Sequence, residues 1–385
     1  MRRPVLFALV AVLCAATWQA STVHYNYGGN WTALFYSGAK YPAPPAALSS
    51  ERIYLFPNSF GYDGQGYHYM AHDPFLKRGF QSSIDSPRFR YRRILVPLLA
   101  WLLAGGQDRF VDRAYLVVIW LSVFLGALWT GLVARQRGAH PAWSMAFLLV
   151  PAVIVSLDRL TVDVALVALT AALVYFTERR NWPAAVVLCS LACLVRESGL
   201  LIPAALAAWC AMERRWLRAA GLALSVVPAL AWYRYVGLHT ASGGPDGLVS
   251  AIPFAGIVSA LVHPVPYHFS VAVNALATAL DYFALAGIII AVVYCGVRWR
   301  RLLTQPDGAI AFAFIALVAV VSTQEVWGHA YAFARGYSPL LLIVAFDGFR
   351  SRSPVAVLPV AFTASRIGLE MGLQIVGVVR GILGL

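Results

Sequence analysis

The residues best suited to chemistry in this sequence lie in one polar stretch, 61–75, which reads GYDGQGYHYMAHDPF. Asp63 stands near its start between Tyr62 and a run of aromatic residues. A carboxylate in that setting, outside the apolar runs and among aromatic rings, can take a proton from a hydroxyl group. An acid in a glycine-rich loop can also serve only to stabilise a turn. We predict that Asp63 is the catalytic residue.

The same stretch holds four further polar candidates. His68 and His72 are four residues apart and therefore share one face if the segment is helical. A histidine pair alone is a weak signal for a metal, so we expect His68, with Tyr67, to bind substrate. Asp73 precedes Pro74, and a residue before proline is pushed out of the helical region. We expect Asp73 to end a helix.

Three arginines are candidates for binding a phosphate, because a guanidinium group presents a planar fork that matches phosphate oxygens. They are Arg159, Arg196 and Arg335, each beside an apolar segment. Glu197 follows Arg196 and is a further substrate-binding candidate. The alternative is that Arg196 and Glu197 form an ion pair that stabilises a tight corner between two helices.

The elements that must position these residues are membrane helices. The chain is 60% hydrophobic and only 12% charged, with a mean hydropathy of +0.69, which excludes an ordinary soluble domain. Apolar runs recur to the C-terminus, and a span needs about 20 residues. We predict a single all-α polytopic domain, 1–385, with about ten or eleven spans. Residues 4–20 suit a signal peptide or a retained first helix, and we expect retention.

The basic residues fall in short clusters between the apolar runs, so the net charge of +13 does not indicate a nucleic-acid-binding patch. Such clusters mark the cytoplasmic ends of membrane helices. The clusters that we assign to the cytoplasm are Arg2–Arg3, Arg135 with Arg137, Arg179–Arg180, Arg214–Arg215, Arg298–Arg301 and Arg350 with Arg352.

Residues 21–112 then form an extracytoplasmic loop. Within this loop the segment 91–105 is apolar but short. If this segment crossed the membrane, every later basic cluster would lie on the extracytoplasmic side, against the charge rule. We predict an interfacial helix at 91–105, whose neighbouring arginines, Arg90, Arg92 and Arg93, meet lipid phosphates.

Some charged residues and histidines do not belong to the cytoplasmic basic clusters. In this topology those residues gather on the outer side of the membrane. Charges near a membrane are costly and usually functional. The residues concerned are Asp63, Asp158–Arg159, Arg196–Glu197, His263, His268, Glu325, His329 and Arg335. The three candidate arginines are unpaired in this scheme.

Four segments resemble the GT-C superfamily, polytopic glycosyltransferases that use lipid-phosphate-linked sugars. Residues 62–74 resemble the acid motif of their first outer loop. Residues 92–101 stand where these enzymes carry an amphipathic outer helix. Residues 157–163 are similar to the acid-containing corner between their third and fourth spans, and residues 194–203 to a corner found in bacterial members.

The resemblance implies an inverting transfer of a sugar from a polyprenyl phosphate to an extracytoplasmic hydroxyl group, with Asp63 as general base. The acceptor is a lipid, a glycan or a protein of the cell envelope, and the location is a bacterial inner membrane. We expect burial among tyrosines to raise the pKa of Asp63.

There is no paired-acid motif in the first loop, so we assign no metal ligand and no cofactor. The five cysteines lie in apolar runs and indicate neither a disulfide nor a metal site.

Two other classes remain open. A transporter or flippase usually carries acids near the middle of the bilayer, often in duplicated halves; here Asp281 is the one convincing acid of that kind, and we find no internal repeat. A structural subunit without chemistry would leave the polar loop unexplained.

Overall fold

The structure is a computed structural model that describes residues 2–241, 248–267 and 270–384. Within these residues almost all regular structure is helical, as the sequence predicts. The exception is a pair of two-residue parallel strands, β1 Ser37–Gly38 and β2 Leu55–Phe56. His268, which we expected on the outer side, lies outside the described residues.

The α-helices are numbered in chain order. They are α1 Arg2–Tyr27, α2 Asp63–His72, α3 Pro87–Arg90, α4 Leu95–Leu103, α5 Asp108–Gln136, α6 Pro151–Arg159, α7 Asp163–Glu178, α8 Trp182–Val195, α9 Leu201–Met212, α10 Trp216–Leu224, α11 Val227–His239, α12 Ala255–Val262, α13 Val271–Val297, α14 Trp299–Leu302, α15 Pro306–Val320, α16 Gln324–Trp327, α17 Ala330–Gly336, α18 Ser338–Ser351, α19 Leu358–Glu370 and α20 Gly372–Leu383. The 3₁₀ helices are Trp31–Phe35, Ala46–Glu51, Phe80–Ser83, Pro141–Leu149, Glu197–Leu200 and Pro354–Val357.

The helices long and apolar enough to cross a membrane number four in the described part of the chain, or six if two bent pairs are each one span. The four are α1, α5, α13 and the combined α10–α11 segment, Trp216–His239. This length supports the membrane class. Other apolar helices, such as α8 and α15, are shorter than a full span. The count of ten or eleven spans stays a prediction.

The centre of the fold is α5, which contacts α1, α4, α7 and the segment Pro141–Leu149. Two glycines of α5 allow that segment to approach closely, because a Cβ at Gly126 would lie 2.0 Å from the ring of Phe147 and one at Gly131 would lie 2.1 Å from Ser144 Oγ. Small residues are the usual means by which membrane helices pack this tightly.

The short apolar segment expected at 91–105 forms α4, which has nine residues. At 1.5 Å per residue it is about 14 Å long, which is too short to cross a bilayer. One face packs against α2 and α5, while Leu102 and Leu103 on the other side are exposed. The helix therefore has the form expected of a non-crossing element, and its place on the outer leaflet stays a prediction.

A cluster of charges ties together one end of the helical bundle. Arg137 at the end of α5 lies 2.5 Å from Glu178 of α7 and 2.6 Å from Asp307 of α15. Arg350 of α18 lies 2.6 Å from the same Glu178. Two of the basic residues assigned to the cytoplasm therefore meet at one end, which we call the basic end.

Candidate active site

A cavity of about 780 Å³ lies at the opposite end of α15 from the basic end. Most of the outer-side charges that the sequence singled out line this cavity. The charged residues on its wall are Asp63, Asp85, Arg90, Arg93, Arg159, Arg196, Glu197, Glu325, Arg335, Arg366 and Glu370. The cavity therefore brings Asp63 and the three candidate arginines together, whereas their roles stay predictions. His263 lines a neighbouring cavity instead.

Asp63 is the first residue of α2, where the positive end of the helix dipole favours a carboxylate. Its Oδ1 atom accepts a hydrogen bond of 2.7 Å from Arg90 Nη1. Its Oδ2 atom pairs with Arg335 and lies 3.9 Å from Arg93 Nη1. Both carboxylate oxygens are thus held by guanidinium groups.

The charge environment of Asp63 corrects one expectation. Burial alone would raise the pKa of its carboxyl group, as the sequence suggested. The nearby charges of Arg335, Arg90 and Arg93 outweigh that effect and hold the pKa of Asp63 well below its usual value. In this arrangement Asp63 is a firmly ionised carboxylate and a weak base, because a lowered pKa weakens proton affinity.

The arginines also differ from expectation, because each has an acidic partner. Arg196 pairs with Asp163 at the start of α7, and Arg335 Nη1 lies 3.4 Å from the same residue. Glu197 does not pair with its neighbour Arg196 but accepts a hydrogen bond of 2.9 Å from Arg93 Nε. The prediction that these arginines are unpaired was wrong, since distant acids reach them through the tertiary fold.

Arg159 ends α6 and is held by a neighbouring acid and two aromatic rings. Its Nε atom lies 2.9 Å from Asp158 Oδ2, which also accepts a hydrogen bond of 2.9 Å from Tyr331. The guanidinium carbon sits 3.3 Å from the centroid of the Tyr36 ring, close enough for a cation–π contact. This packing fixes the cation at the cavity wall.

Two donors of these arginines remain unused. Arg335 Nε and Arg159 Nη1 are buried and donate no hydrogen bond among the described residues. Buried polar groups are nearly always hydrogen-bonded, so these two shielded donors can gain a partner if their side chains turn towards acceptor atoms in the cavity. An anion with several oxygens, such as a phosphate, meets that need.

Two candidates lie away from the cavity. Tyr67 is fully buried behind the wall, and its hydroxyl accepts a hydrogen bond of 2.9 Å from Arg93 Nη1. His68 is also fully buried, and its Nε2 atom lies 2.8 Å from Asp112 of α5. Neither is placed to touch a molecule in the cavity, so Tyr67 supports Arg93 and His68 belongs to a separate cluster.

Sequence reasoning missed Arg90 and Arg93 as members of the site. We expected both to meet lipid phosphates, but they point towards Asp63 and Glu197. Their spacing of three residues, close to Asp85, was the available signal. Arg366 was missed as well; it comes from α19 and lies 2.6 Å from Asp281. That pairing gives Asp281 a structural partner.

Asp73, the second acid of the stretch 61–75, behaves as expected. Asp73 follows the last residue of α2 and its carboxylate accepts hydrogen bonds from the backbone N–H groups of Lys77 and Arg78.

Comparison with family models, curated proteins and solved structures found no match to this chain. The functional argument therefore depends on the geometry of the cavity.

Proposed function

We propose that this chain is a membrane glycosyltransferase of the GT-C type, which transfers a sugar from a polyprenyl phosphate to an extracytoplasmic hydroxyl group. The observation that carries the proposal is the cavity whose wall brings Asp63 together with Arg159, Arg196 and Arg335. The polar wall suits a phosphate and a sugar. The apolar wall suits a prenyl chain, and it is formed by Leu248, Val249, Leu317, Val321 and Val326.

In this proposal the donor phosphate binds Arg335, Arg196 and Arg159. These three cations come from α17, the end of α8 and the end of α6, so they surround the head group from different elements. A charge-assisted hydrogen bond to a phosphate oxygen contributes about 1.5–3 kcal/mol. The cations also stabilise the phosphate as it leaves, where negative charge develops.

The same phosphate would activate Asp63. Arg335 pairs with the carboxylate of Asp63. In the complex with the donor, Arg335 also binds the donor phosphate, and this second contact weakens the contact between Arg335 and Asp63. With less positive charge around it, the pKa of Asp63 rises towards its ordinary value and its proton affinity increases. Donor binding and base strength are then coupled, which keeps the base inactive until a donor is present.

The chemical step is a single displacement. The acceptor oxygen attacks the anomeric carbon, its proton passes to Asp63, and the bond from that carbon to the phosphate oxygen breaks. The electron pair of that bond stays on the phosphate, which needs no proton to leave. One carboxylate is therefore enough, in contrast to the two carboxyl groups of glycoside hydrolysis.

The experiment uses the full chain in lipid nanodiscs with a panel of polyprenyl-phosphate sugars and candidate acceptors, and it measures release of polyprenyl phosphate by mass spectrometry. We expect release with at least one donor and loss of release in Asp63→Asn. A parallel assay in sealed vesicles follows movement of the intact donor across the bilayer. Movement without cleavage would identify a flippase and contradict the proposal.

A further inference from the structure

At the end of α2 remote from Asp63, four side chains from three segments converge on one point. His68 and His72 come from α2, Asp112 from α5 and Glu51 from the end of the 3₁₀ helix Ala46–Glu51. One nitrogen or oxygen atom of each lies within 4.8 Å of the corresponding atom of every other member. We call this set the His–carboxylate cluster.

Three of the four nitrogen–oxygen distances within the cluster are close to the edge of a metal coordination shell, and the fourth has the length of an ion pair. His68 Nε2 lies 2.8 Å from Asp112 Oδ1 and 3.7 Å from Glu51 Oε2. His72 Nε2 lies 3.5 Å and 3.4 Å from the same two oxygens. A tetrahedral zinc ion with bonds of about 2.0–2.1 Å holds its ligand atoms about 3.4 Å apart.

The converging atoms are buried and do not meet the geometric requirements of a hydrogen bond within the described residues, although His68 Nε2 and Asp112 Oδ1 are only 2.8 Å apart. Both histidines are buried: His68 has no exposed surface, and His72 is 1% exposed. Among the described residues His68 Nε2, His72 Nε2, Asp112 Oδ1 and Glu51 Oε2 have no hydrogen-bond partner. These four atoms lie within 4.8 Å of one another. Buried polar atoms left in this state call for an ion or another ligand between them.

A further acid orients one of the two imidazoles. His72 Nδ1 lies 2.9 Å from Asp108 Oδ1, and Arg78 holds Asp108 through two hydrogen bonds of 2.7 and 2.8 Å. A carboxylate at Nδ1 places the proton there and leaves the Nε2 lone pair free for a metal. His68 is fixed by stacking on Phe35, with ring centroids 4.1 Å apart and planes 9° apart.

We propose that Glu51, His68, His72 and Asp112 bind one zinc ion, with Asp108 as the positioning residue for His72. Two imidazoles and two carboxylates favour zinc over calcium or magnesium, which prefer oxygen ligands. Four protein ligands fill a tetrahedron, as in structural zinc sites. A cavity of about 680 Å³ is lined by Glu51, Asp108 and Asp112 and gives the ion a path from outside.

The ion would join α2, α5 and the Ala46–Glu51 segment. Because α2 begins at Asp63, this tie fixes the helix that presents the carboxylate to the arginine-lined cavity. The inference does not depend on the proposed glycosyl transfer, since the cluster lies away from that cavity.

The competing account is a metal-free group of ion pairs. Burial by itself lowers the pKa of His68, but the charges of Asp112 and Glu51 outweigh it and raise the pKa to about 9. A protonated His68 would then neutralise part of the acidic charge. The two accounts differ in zinc uptake and in the effect of zinc on stability.

The test uses the full chain in detergent, stripped with a chelator and titrated with Zn²⁺, Ca²⁺ or Mn²⁺ in a weakly chelating buffer. Bound metal is measured by elemental mass spectrometry and stability by thermal unfolding. We expect one zinc per chain and a higher unfolding temperature with zinc, because a ligand that binds only the folded state stabilises it. Calcium and manganese should have no comparable effect.

Variants locate the site. Asp108→Asn should weaken zinc affinity by about 10–100-fold, as loss of an outer carboxylate usually does. The double variant His68→Ala/His72→Ala should lose zinc uptake, whereas the control His24→Ala, at an exposed histidine of α1, should keep it. Absence of zinc uptake by the wild-type chain overturns the proposal. Unchanged zinc affinity in Asp108→Asn, or zinc uptake retained by the double variant, also overturns the proposal. If the double variant does not fold, the zinc affinity of Asp108→Asn decides between the zinc site and the metal-free ion pairs.

Discussion

At the residue scale, the arginines around Asp63 have a greater effect on its charge than the tyrosines beside it in the sequence. Tyr62 and Tyr67 flank Asp63 along the chain, but Arg90, Arg93 and Arg335 reach it in space. A buried charge persists only with such partners, because desolvation of an unpaired ion is costly. The charge of Asp63 is therefore balanced by these arginines.

The first prediction concerns Asp63→Asn. The variant keeps the shape of the side chain but cannot accept a proton, so turnover should fall about a hundredfold or more. Donor affinity should not weaken, because the change frees Arg90 and Arg335 for the phosphate. Single-turnover rates and donor titrations in nanodiscs measure both quantities.

Loss of the carboxylate also removes a partner from three buried arginines. Breaking a buried ion pair costs about 3–5 kcal/mol, so the variant should unfold at a lower temperature than the wild type. Rates are therefore compared well below both unfolding temperatures, with Asp63→Glu as the charge-retaining control. Near wild-type turnover in Asp63→Asn would remove Asp63 from the chemistry.

The second prediction concerns the phosphate contacts. Arg335→Ala and Arg196→Ala should each weaken donor binding by about 1.5–3 kcal/mol, because each removes a charge-assisted contact. Arg301→Ala is the matched control, since Arg301 is exposed in α14 and does not line the cavity. Equilibrium binding of a polyprenyl phosphate measures the effect. Unchanged affinity in both cavity variants would show that the phosphate binds elsewhere.

At the element scale, α2 is the piece that joins the outer loop to the helical bundle. Its first turn packs against the end of α6, where a Cβ at Gly64 would lie 2.1 Å from the carbonyl oxygen of Arg159 and 2.7 Å from that of Phe35. Only a residue without a side chain fits between these backbone atoms. The position of Asp63 therefore depends on a glycine beside it.

The third prediction follows from that contact. Gly64→Ala should force α2 away from α6 and destabilise the fold by about 1–3 kcal/mol, as overpacking usually does. Gly368→Ala in α19 is the control, because no atom lies within 4 Å of the added methyl group there. We expect Gly368→Ala to be neutral or slightly stabilising. Thermal unfolding measures both variants, and equal unfolding temperatures would contradict the packing argument.

At the scale of the whole molecule, the charges divide between two ends of the bundle. The basic end joins Arg137, Glu178, Asp307 and Arg350. The arginine-lined cavity lies at the opposite end of α15. Which of these two ends faces the cytoplasm stays a prediction from the basic clusters of the sequence.

The fourth prediction tests the orientation with single cysteines in a Cys14→Ala background, because the other four native cysteines are buried. Phe60→Cys, on the cavity side and 70% exposed, should react with a membrane-impermeant maleimide added to spheroplasts. Arg179→Cys, exposed at the end of α7, should react only after lysis. Labelling of Arg179→Cys in intact spheroplasts would contradict the topology.

The periodicity and composition of the sequence were sufficient to predict the local features of this protein. Apolar runs predicted the helices, and the run 271–297 coincides with α13, because a long unbroken apolar segment has few alternatives in a membrane. Asp73 before Pro74 marked the end of α2, since that restriction acts between adjacent residues. The charge rule also gathered Asp63 and the candidate arginines on one side.

The partners of those charges depended on the tertiary structure. Asp63 meets Arg335, and His68 meets Glu51 and Asp112, although long stretches of chain separate them. A sequence pattern shows that a charge is out of place, but the identity of its partner depends on how helices pack. The pKa of Asp63 and the convergence of the His–carboxylate cluster are consequences of that packing. For this reason the sequence alone determined the class and the candidate residues, and the fold decided their chemistry.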